Sequence, residues 1–147
     1  MDEADAAALL EFHHALSNET TYRRFFTVHP ELSARELEHF THVDHRDRDA
    51  LVATAGDHIV GVGRYDRPAG AAEAEVAFVV ADAWQGDGLG TVLLAHIADL
   101  ARSQGVTHLV ADTLATNRAM LDVFRRSGWP MTTTALDGIV HVTLDLG

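Results

Sequence analysis

A glycine-rich segment between an apolar run and a helical pattern carries the strongest chemical signal in this sequence of 147 residues. It reads Trp84-Gln85-Gly86-Asp87-Gly88-Leu89-Gly90-Thr91. Glycines let backbone N–H groups approach a ligand closely, and the start of a helix adds a partial positive charge. We therefore predict that the segment binds a pyrophosphate without any lysine, and that a side chain at Gly88 or Gly90 would fill the phosphate position.

Two other glycine-rich motifs do not fit the spacing of this segment. A dinucleotide-binding fingerprint would need its third glycine at the position of Thr91, and a P-loop would need Gly-Lys followed by Ser or Thr. The alternative that stays open is a tight turn between a strand and a helix that binds nothing.

The elements that must position this segment alternate between strands and helices. Predicted strands span 50–55, 59–65, 76–80, 106–113 and 139–146, and the first two form an antiparallel hairpin. Predicted helices lie within 1–41, including one at 33–40, and at 89–105 and 117–127. This order is typical of an α/β or α+β fold with a mixed central β-sheet flanked by helices.

Two of these elements also carry a prediction of burial. The strand at 76–80 is a continuous apolar run, which favours a central strand covered on both faces. The helix at 89–105 has an apolar stripe that is expected to face the core together with His96. The stripe consists of Leu89, Val92, Leu93, Ile97 and Leu100.

The composition restricts the classes of function. With 47% apolar residues the chain can bury a core, and its length predicts a single domain over 1–147. A formal net charge of -11 disfavours nucleic acid as a partner. There is no cysteine for a disulfide, a zinc site or a thiol nucleophile, and no apolar run approaches the ~20 residues that cross a membrane. We therefore expect a cytoplasmic protein without a nucleic-acid or membrane partner.

A histidine-rich stretch raises the question of a metal site. His39, His42 and His45 recur every three residues, close to Asp44 and Asp47. Histidine and aspartate side chains can both ligate a metal. The stretch lacks the helical or hairpin framing of known metal sites. We predict no metal here and interpret 41–49 as a polar surface loop.

The pattern Gln85-x-x-Gly88-x-Gly90 after a strand is similar to the acyl-CoA pyrophosphate signature of the GNAT superfamily of N-acetyltransferases. Asn117 at a helix start and the run 125–129, Arg-Arg-Ser-Gly-Trp, continue the resemblance. Segments 16–26, 36–44 and 74–80 resemble the acetyltransferase domain of bacterial Pat-type protein lysine acetyltransferases. Over nearly the whole chain, the resemblance implies the GNAT fold, acetyl-CoA as the donor and a lysine side chain as the acceptor.

The resemblance also implies where acetyl-CoA binds. Family members splay the strand that corresponds to 76–80, so that its backbone amides pair with the pantetheine arm. Asn117 would bond to the cofactor, cap its helix, or do both. The predicted cofactor-binding residues are Phe78, Val79, Val80, Gln85, Gly86, Asp87, Gly88, Leu89, Gly90, Thr91 and Asn117.

Three features depart from the family pattern. The chain begins with a helical segment where the family usually has a strand. Asp87 stands where many relatives carry a basic residue, and its side chain is expected to point to water. Phe124, seven residues after Asn117, holds the place of the tyrosine that serves as general acid in many GNAT enzymes. That role is therefore not assigned to any residue.

Glu75 is the predicted catalytic base. Acetylation needs a neutral amine, whereas a lysine amine is protonated at neutral pH, so that a proton must be removed. Glu75 lies at the entrance of the apolar strand, where partial burial would favour proton uptake, and it matches the glutamate of the Pat-type pattern. A solvated carboxylate at a strand end is the alternative, and Glu73 is a weaker candidate.

We predict direct transfer of the acetyl group from acetyl-CoA to a protein lysine in a ternary complex, because no cysteine can carry an acyl-enzyme. The Pat-type resemblance implies an AMP-forming acyl-CoA synthetase with a basic lysine epitope as the acceptor. Two alternatives stay open. One is an acetyltransferase for a small amine, and the other is a regulatory module that binds acyl-CoA without turnover.

Overall fold

The computed structural model describes residues 1, 3–16, 41, 43–85 and 88–147, which form a mixed β-sheet flanked by three helices. The helices are α1 (Ala6–His14), α2 (Leu89–Ser103) and α3 (Arg118–Arg126). The strands are β1 (Arg48–Ala55), β2 (His58–Asp66), β3 (Glu73–Val80), β4 (His108–Leu114), β5 (Met131–Leu136) and β6 (Ile139–Asp145). None of the described helices is both long and apolar enough to cross a membrane.

The six strands are ordered β1-β2-β3-β4-β6-β5. Only β3 and β4 pair in parallel, whereas the other four neighbouring pairs are antiparallel. A parallel pair needs a long crossover connection, and α2 supplies it. The glycine-rich segment therefore enters α2 at the carboxyl end of β3, in the middle of the sheet.

Two apolar clusters hold the helices against opposite faces of the sheet. Leu9 and Phe12 of α1 pack on Val62 of β2, while α2 and α3 pack on the other face. Glycine in β2 lets α2 lie close to the sheet, because a Cβ at Gly63 would approach Ile97 Cγ1 to 3.2 Å. The larger cluster lies between the central strands and α2, which fixes the start of α2 beside β3.

The predicted mixed α/β architecture is confirmed. Most predicted elements are present with shifted ends, and β1 already begins at Arg48, so the predicted polar loop ends earlier than 49. No strand is predicted over β5, because its residues from Thr132 onward are exposed on both faces and show no apolar alternation. The helix predicted at 33–40, His39 and His42 lie outside the described residues.

Both predictions of burial are wrong in part. On β3 only the face of Ala74, Val76 and Phe78 is buried, whereas Glu75 is exposed. Val92 is 52% exposed and His96 is exposed as well. The buried stripe of α2 includes two alanines, which fit against a strand that carries glycines, and it consists of Leu93, Leu94, Ile97, Ala98 and Ala101.

Asp44 stabilises the turn that leads into β1. Its Oδ1 accepts hydrogen bonds from the backbone N–H groups of Arg46, Asp47 and Arg48 at 2.8 to 2.9 Å. These bonds favour the charged form, and the bond from Arg48 has the largest effect. They lower the pKa of Asp44 from 3.8 to about 2.

We predict that Asp44→Ala lowers the free energy of unfolding by about 1 kcal/mol at neutral pH, because three backbone donors lose their acceptor. A carboxylate whose pKa is lower in the folded state stabilises the fold at a pH above its pKa in the unfolded chain. This stabilisation is lost as the pH falls through the pKa of the folded state. The difference between variant and wild type should therefore shrink between about pH 4 and pH 2 in urea unfolding. Asp57→Ala, in the exposed β1–β2 turn, is the control. An equal deficit at every pH would contradict this role.

Candidate functional site

A cavity of about 380 Å³ lies where β3 and β4 separate. The two strands pair over three residue pairs only, and the last one joins Glu75 to Val110. On its other side β3 stays paired with β2 as far as Val80. Beyond Glu75 the two central strands therefore bound a gap, which α2 and α3 line as well.

The edge of β3 that faces this gap offers backbone donors. The N–H of Ala81 donates to Val60 O at 2.8 Å, towards β2. Because amide directions alternate along a strand, the N–H groups of Phe78 and Val80 point away from β2 and into the gap. In the described part of the chain neither of them has a backbone partner. The N–H of Val79 points towards β2, although Val79 also lines the cavity.

The first turn of α2 opens into the same cavity. Gly88 precedes the helix with a φ of +81°, a left-handed conformation that favours glycine. The first bond within the helix runs from Val92 N–H to Gly88 O at 3.2 Å. The N–H groups of Leu89, Gly90 and Thr91 consequently have no acceptor within the helix and can bind an anion.

The two glycines of the first turn have different roles. A Cβ at Gly88 would meet nothing within 4 Å. A Cβ at Gly90 would lie 3.3 Å from Val123 Cγ2 and 3.6 Å from the Phe78 ring. A side chain at Gly90 would begin against α3 and β3, and the expectation that a side chain at either glycine would fill the phosphate position stays a prediction.

Gln85 and Asn117 line the cavity just beyond the carboxyl ends of β3 and β4. Gln85 Nε2 donates to Val80 O at 3.0 Å, which fixes the turn between β3 and α2. Asn117 is buried, and its Oδ1 accepts a bond from Met120 N–H at 3.3 Å. The predicted helix cap is thereby confirmed, whereas a bond from Asn117 to a cofactor stays a prediction.

Glu75 lies at the end of the gap opposite α2. It is the last residue of β3 that pairs with β4, and it lines the cavity. Its side chain is exposed, so the partial burial expected for a tuned base is wrong. Asp66 of β2 stands directly opposite Glu75. The two carboxylates thus lie on neighbouring strands, and Glu75 is the one of the two that lines the cavity.

Two residues of β4 that the sequence analysis missed also line the cavity, Asp112 and Thr113. The carboxylate of Asp112 shares the sheet face of Glu75 and lies 2.7 Å from Nδ1 of His141 on β6. Thr113 lies on the opposite face and is buried. A carboxylate and a hydroxyl that interrupt an apolar strand were the available signal in the sequence.

The structure brings nearly all predicted site residues to one place. Glu75 and the nine described cofactor-binding candidates line the same cavity, whereas Gly86 and Asp87 lie outside the described residues. The nine are Phe78, Val79, Val80, Gln85, Gly88, Leu89, Gly90, Thr91 and Asn117. The arrangement places amide donors along one wall, a helix start at one end and a carboxylate at the other.

Known proteins resemble this chain in both sequence and fold. A family model described as the acetyltransferase (GNAT) family matches residues 12–129. Acetyltransferase Pat of Mycolicibacterium smegmatis is 36% identical over 115 residues, which make up 76% of this chain and 34% of that protein. The chain thus spans about a third of the length of this relative.

Two solved structures resemble this fold over almost its entire length. The GNAT domain of S. lividans PAT is 40% identical, with a TM-score of 0.92 over 99% of this chain and 87% of that chain. The structure of yncA, a putative acetyltransferase from Salmonella typhimurium with its cofactor acetyl-CoA, has a TM-score of 0.77 at 22% identity. It covers 100% of this chain and 91% of that chain, and at this identity the likeness is one of fold.

We predict that Gly88→Ala weakens the binding of acetyl-CoA about tenfold, because a side chain disfavours the left-handed conformation that aims the first amides of α2 at the cavity. Gly70→Ala is a matched control. Gly70 has a φ of +70° and open space around it, but it does not line the cavity. Both variants should lose similar stability in thermal unfolding. Calorimetric titration should show weaker binding for Gly88→Ala alone, and equal affinities would contradict the assignment.

Proposed function

The chain belongs to the acetyltransferase (GNAT) family, and from that premise we propose that it transfers the acetyl group of acetyl-CoA to a lysine side chain of a protein. The observation that carries this proposal is the gap between β3 and β4, which presents a helix start, backbone amides and Glu75 in that spatial order. The likeness to the GNAT domain of S. lividans PAT supports a protein as acceptor. The proposal includes a single domain over 1–147 that acts in the cytoplasm, where acetyl-CoA is available.

The donor would lie along β3. Its pyrophosphate would accept hydrogen bonds from the N–H groups of Leu89, Gly90 and Thr91 at the start of α2. The pantetheine arm would pair with the N–H groups of Phe78 and Val80, which point into the gap. Because α2 begins at the far end of the gap from Glu75, this direction brings the thioester towards Glu75.

The acceptor amine would approach from the face of the sheet that carries Glu75. Its proton would pass to the Glu75 carboxylate, directly or through one water molecule. The neutral nitrogen would then attack the thioester carbonyl carbon, a C–N bond would form and the C–S bond would break. Coenzyme A would leave as the thiolate and take up a proton. The chain has no cysteine that could carry an acyl-enzyme, which favours this direct transfer.

The negative charge of the protein supports a cationic acceptor but does not distinguish a protein from a small amine. Glu75 and Asp112 line the cavity on the same face of the sheet as Asp66, and the whole chain carries a formal charge of -11. Such a field attracts a basic epitope and a small polyamine alike. The acidic face therefore also supports a small cationic amine as a second candidate acceptor. The 40% identity to a PAT domain is the reason to prefer a protein lysine.

We predict that Glu75→Gln lowers the rate of acetyl transfer by about 100-fold and leaves the affinity for acetyl-CoA nearly unchanged, because the amide cannot accept the proton. Glu73→Gln is the matched control. Glu73 is an exposed carboxylate on the same face of β3 but does not line the cavity. Rates and calorimetric affinities should be measured from pH 6 to pH 9. Wild-type turnover by Glu75→Gln would reassign the base, with the Asp112–His141 pair as the next candidate.

The acceptor class is tested by competition. We predict that a purified AMP-forming acyl-CoA synthetase is acetylated with a higher kcat/KM than any member of a panel of polyamines and aminoglycosides at matched concentration. The rate with the protein should fall as the salt concentration rises, because screening weakens attraction between exposed charges beyond about 10 Å. Acetylation of a small amine that is orders of magnitude more efficient would overturn the protein acceptor and favour the second candidate.

A further inference from the structure

Thr113 carries a buried hydroxyl that the fold leaves unused. The residue is 3% exposed, and among the described residues its Oγ1 is the one buried side-chain oxygen or nitrogen without a hydrogen-bond partner. An unpaired buried hydroxyl destabilises the folded state. The neighbouring positions on the same face of β4, Leu109 and Ala111, are apolar. Packing alone therefore favours valine at this position.

The register of the sheet places Thr113 on the wall of the gap opposite the free amides. Val110 is the last residue of β4 that pairs with β3, opposite Glu75. Thr113 follows three residues later, which brings it level with Phe78 on the other wall when the register is extended. At about 3.3 Å per residue this is roughly 10 Å beyond the last pair, well inside the gap. Thr113 also lines the cavity itself.

None of the described side chains satisfies the Thr113 hydroxyl. Phe78 and Phe124 face each other with ring centroids 5.5 Å apart, and Phe124 is fully buried. Phe124 holds the helix position where a tyrosine would have brought a hydroxyl into this part of the cavity. The cavity lining contains one further hydroxyl, that of Thr91 in the first turn of α2. A ligand in the middle of the gap could therefore supply the hydrogen-bond partner that the Thr113 hydroxyl lacks.

We propose that the Thr113 hydroxyl donates a hydrogen bond to a carbonyl oxygen of the acyl-pantetheine arm when acetyl-CoA occupies the gap. The arm would then be held on both walls, by the amides of Phe78 and Val80 on β3 and by the side chain of Thr113 on β4. Thr113 acts as a positioning residue that fixes the thioester end of the arm. This inference rests on the proposed use of acetyl-CoA, but it does not depend on the identity of the acceptor.

The proposal predicts opposite effects of Thr113→Val on stability and on binding. Valine has nearly the same shape and removes the unpaired hydroxyl, so the ligand-free variant should unfold at the same temperature as the wild type or higher. Its affinity for acetyl-CoA should fall about three- to tenfold, because the bond to the arm is lost. Thr113→Ser keeps a hydroxyl and should bind acetyl-CoA close to wild-type affinity. A purely structural role would not separate stability from binding in this way.

The test is calorimetric titration of wild type, Thr113→Val and Thr113→Ser with acetyl-CoA and with 3′,5′-ADP, the nucleotide end of the coenzyme without the arm. We expect Thr113→Val to weaken acetyl-CoA binding and to leave 3′,5′-ADP binding unchanged. Equal acetyl-CoA affinity of Thr113→Val and wild type would overturn the proposal, and so would an equal loss for both ligands. A wild type that binds neither ligand would instead overturn the proposed function.

Discussion

The early end of the parallel pairing between β3 and β4 is the constraint on which the site depends. Three residue pairs hold the strands together, and beyond Glu75 each strand continues along a different neighbour. A sheet that loses a central ladder leaves strong backbone donors unpaired in the interior of the molecule. Such a defect is tolerated where a ligand completes the ladder. The amides of Phe78 and Val80, which have no backbone partner among the described residues, are thus the donors on which the proposed cofactor site depends.

Apolar packing behind the sheet keeps the gap open. The Phe78 ring lies against Phe124 of α3, and the absence of a side chain at Gly90 lets the first turn of α2 approach both Phe78 and Val123. On the neighbouring strand β2, the absence of a side chain at Gly63 allows α2 to lie close to the sheet. The helix start is therefore fixed relative to β3 by contacts that a larger side chain would prevent. Binding an anion there needs little rearrangement of the backbone, which favours affinity.

Much of this arrangement could be predicted from local sequence, and the remainder depends on contacts between distant residues. The apolar run at 76–80 and the glycine segment are each contiguous, so local sequence predicted the strand and the helix start, while the anion site stays a prediction. The exposure of Val92 could not be predicted from a stripe of large apolar residues, because Ala98 and Ala101 complete the buried face of α2. The Asp112–His141 pair joins residues 29 positions apart, which only the register of β4 and β6 brings together.

The charge of the protein imposes one more condition on the site. A chain with a formal charge of -11 repels a polyphosphate at long range, yet this repulsion is screened beyond about 8 to 10 Å in salt. Short-range hydrogen-bond donors can still bind a phosphate group that lies close to them, and the amides at the start of α2 are donors that need no flexible basic side chain. The carboxylates of Glu75 and Asp112 lie at the other end of the gap, where they attract a cation. In the proposed reaction, the separation of these two ends along β3 would let an acidic protein accept an anionic donor and a cationic acceptor in one cavity.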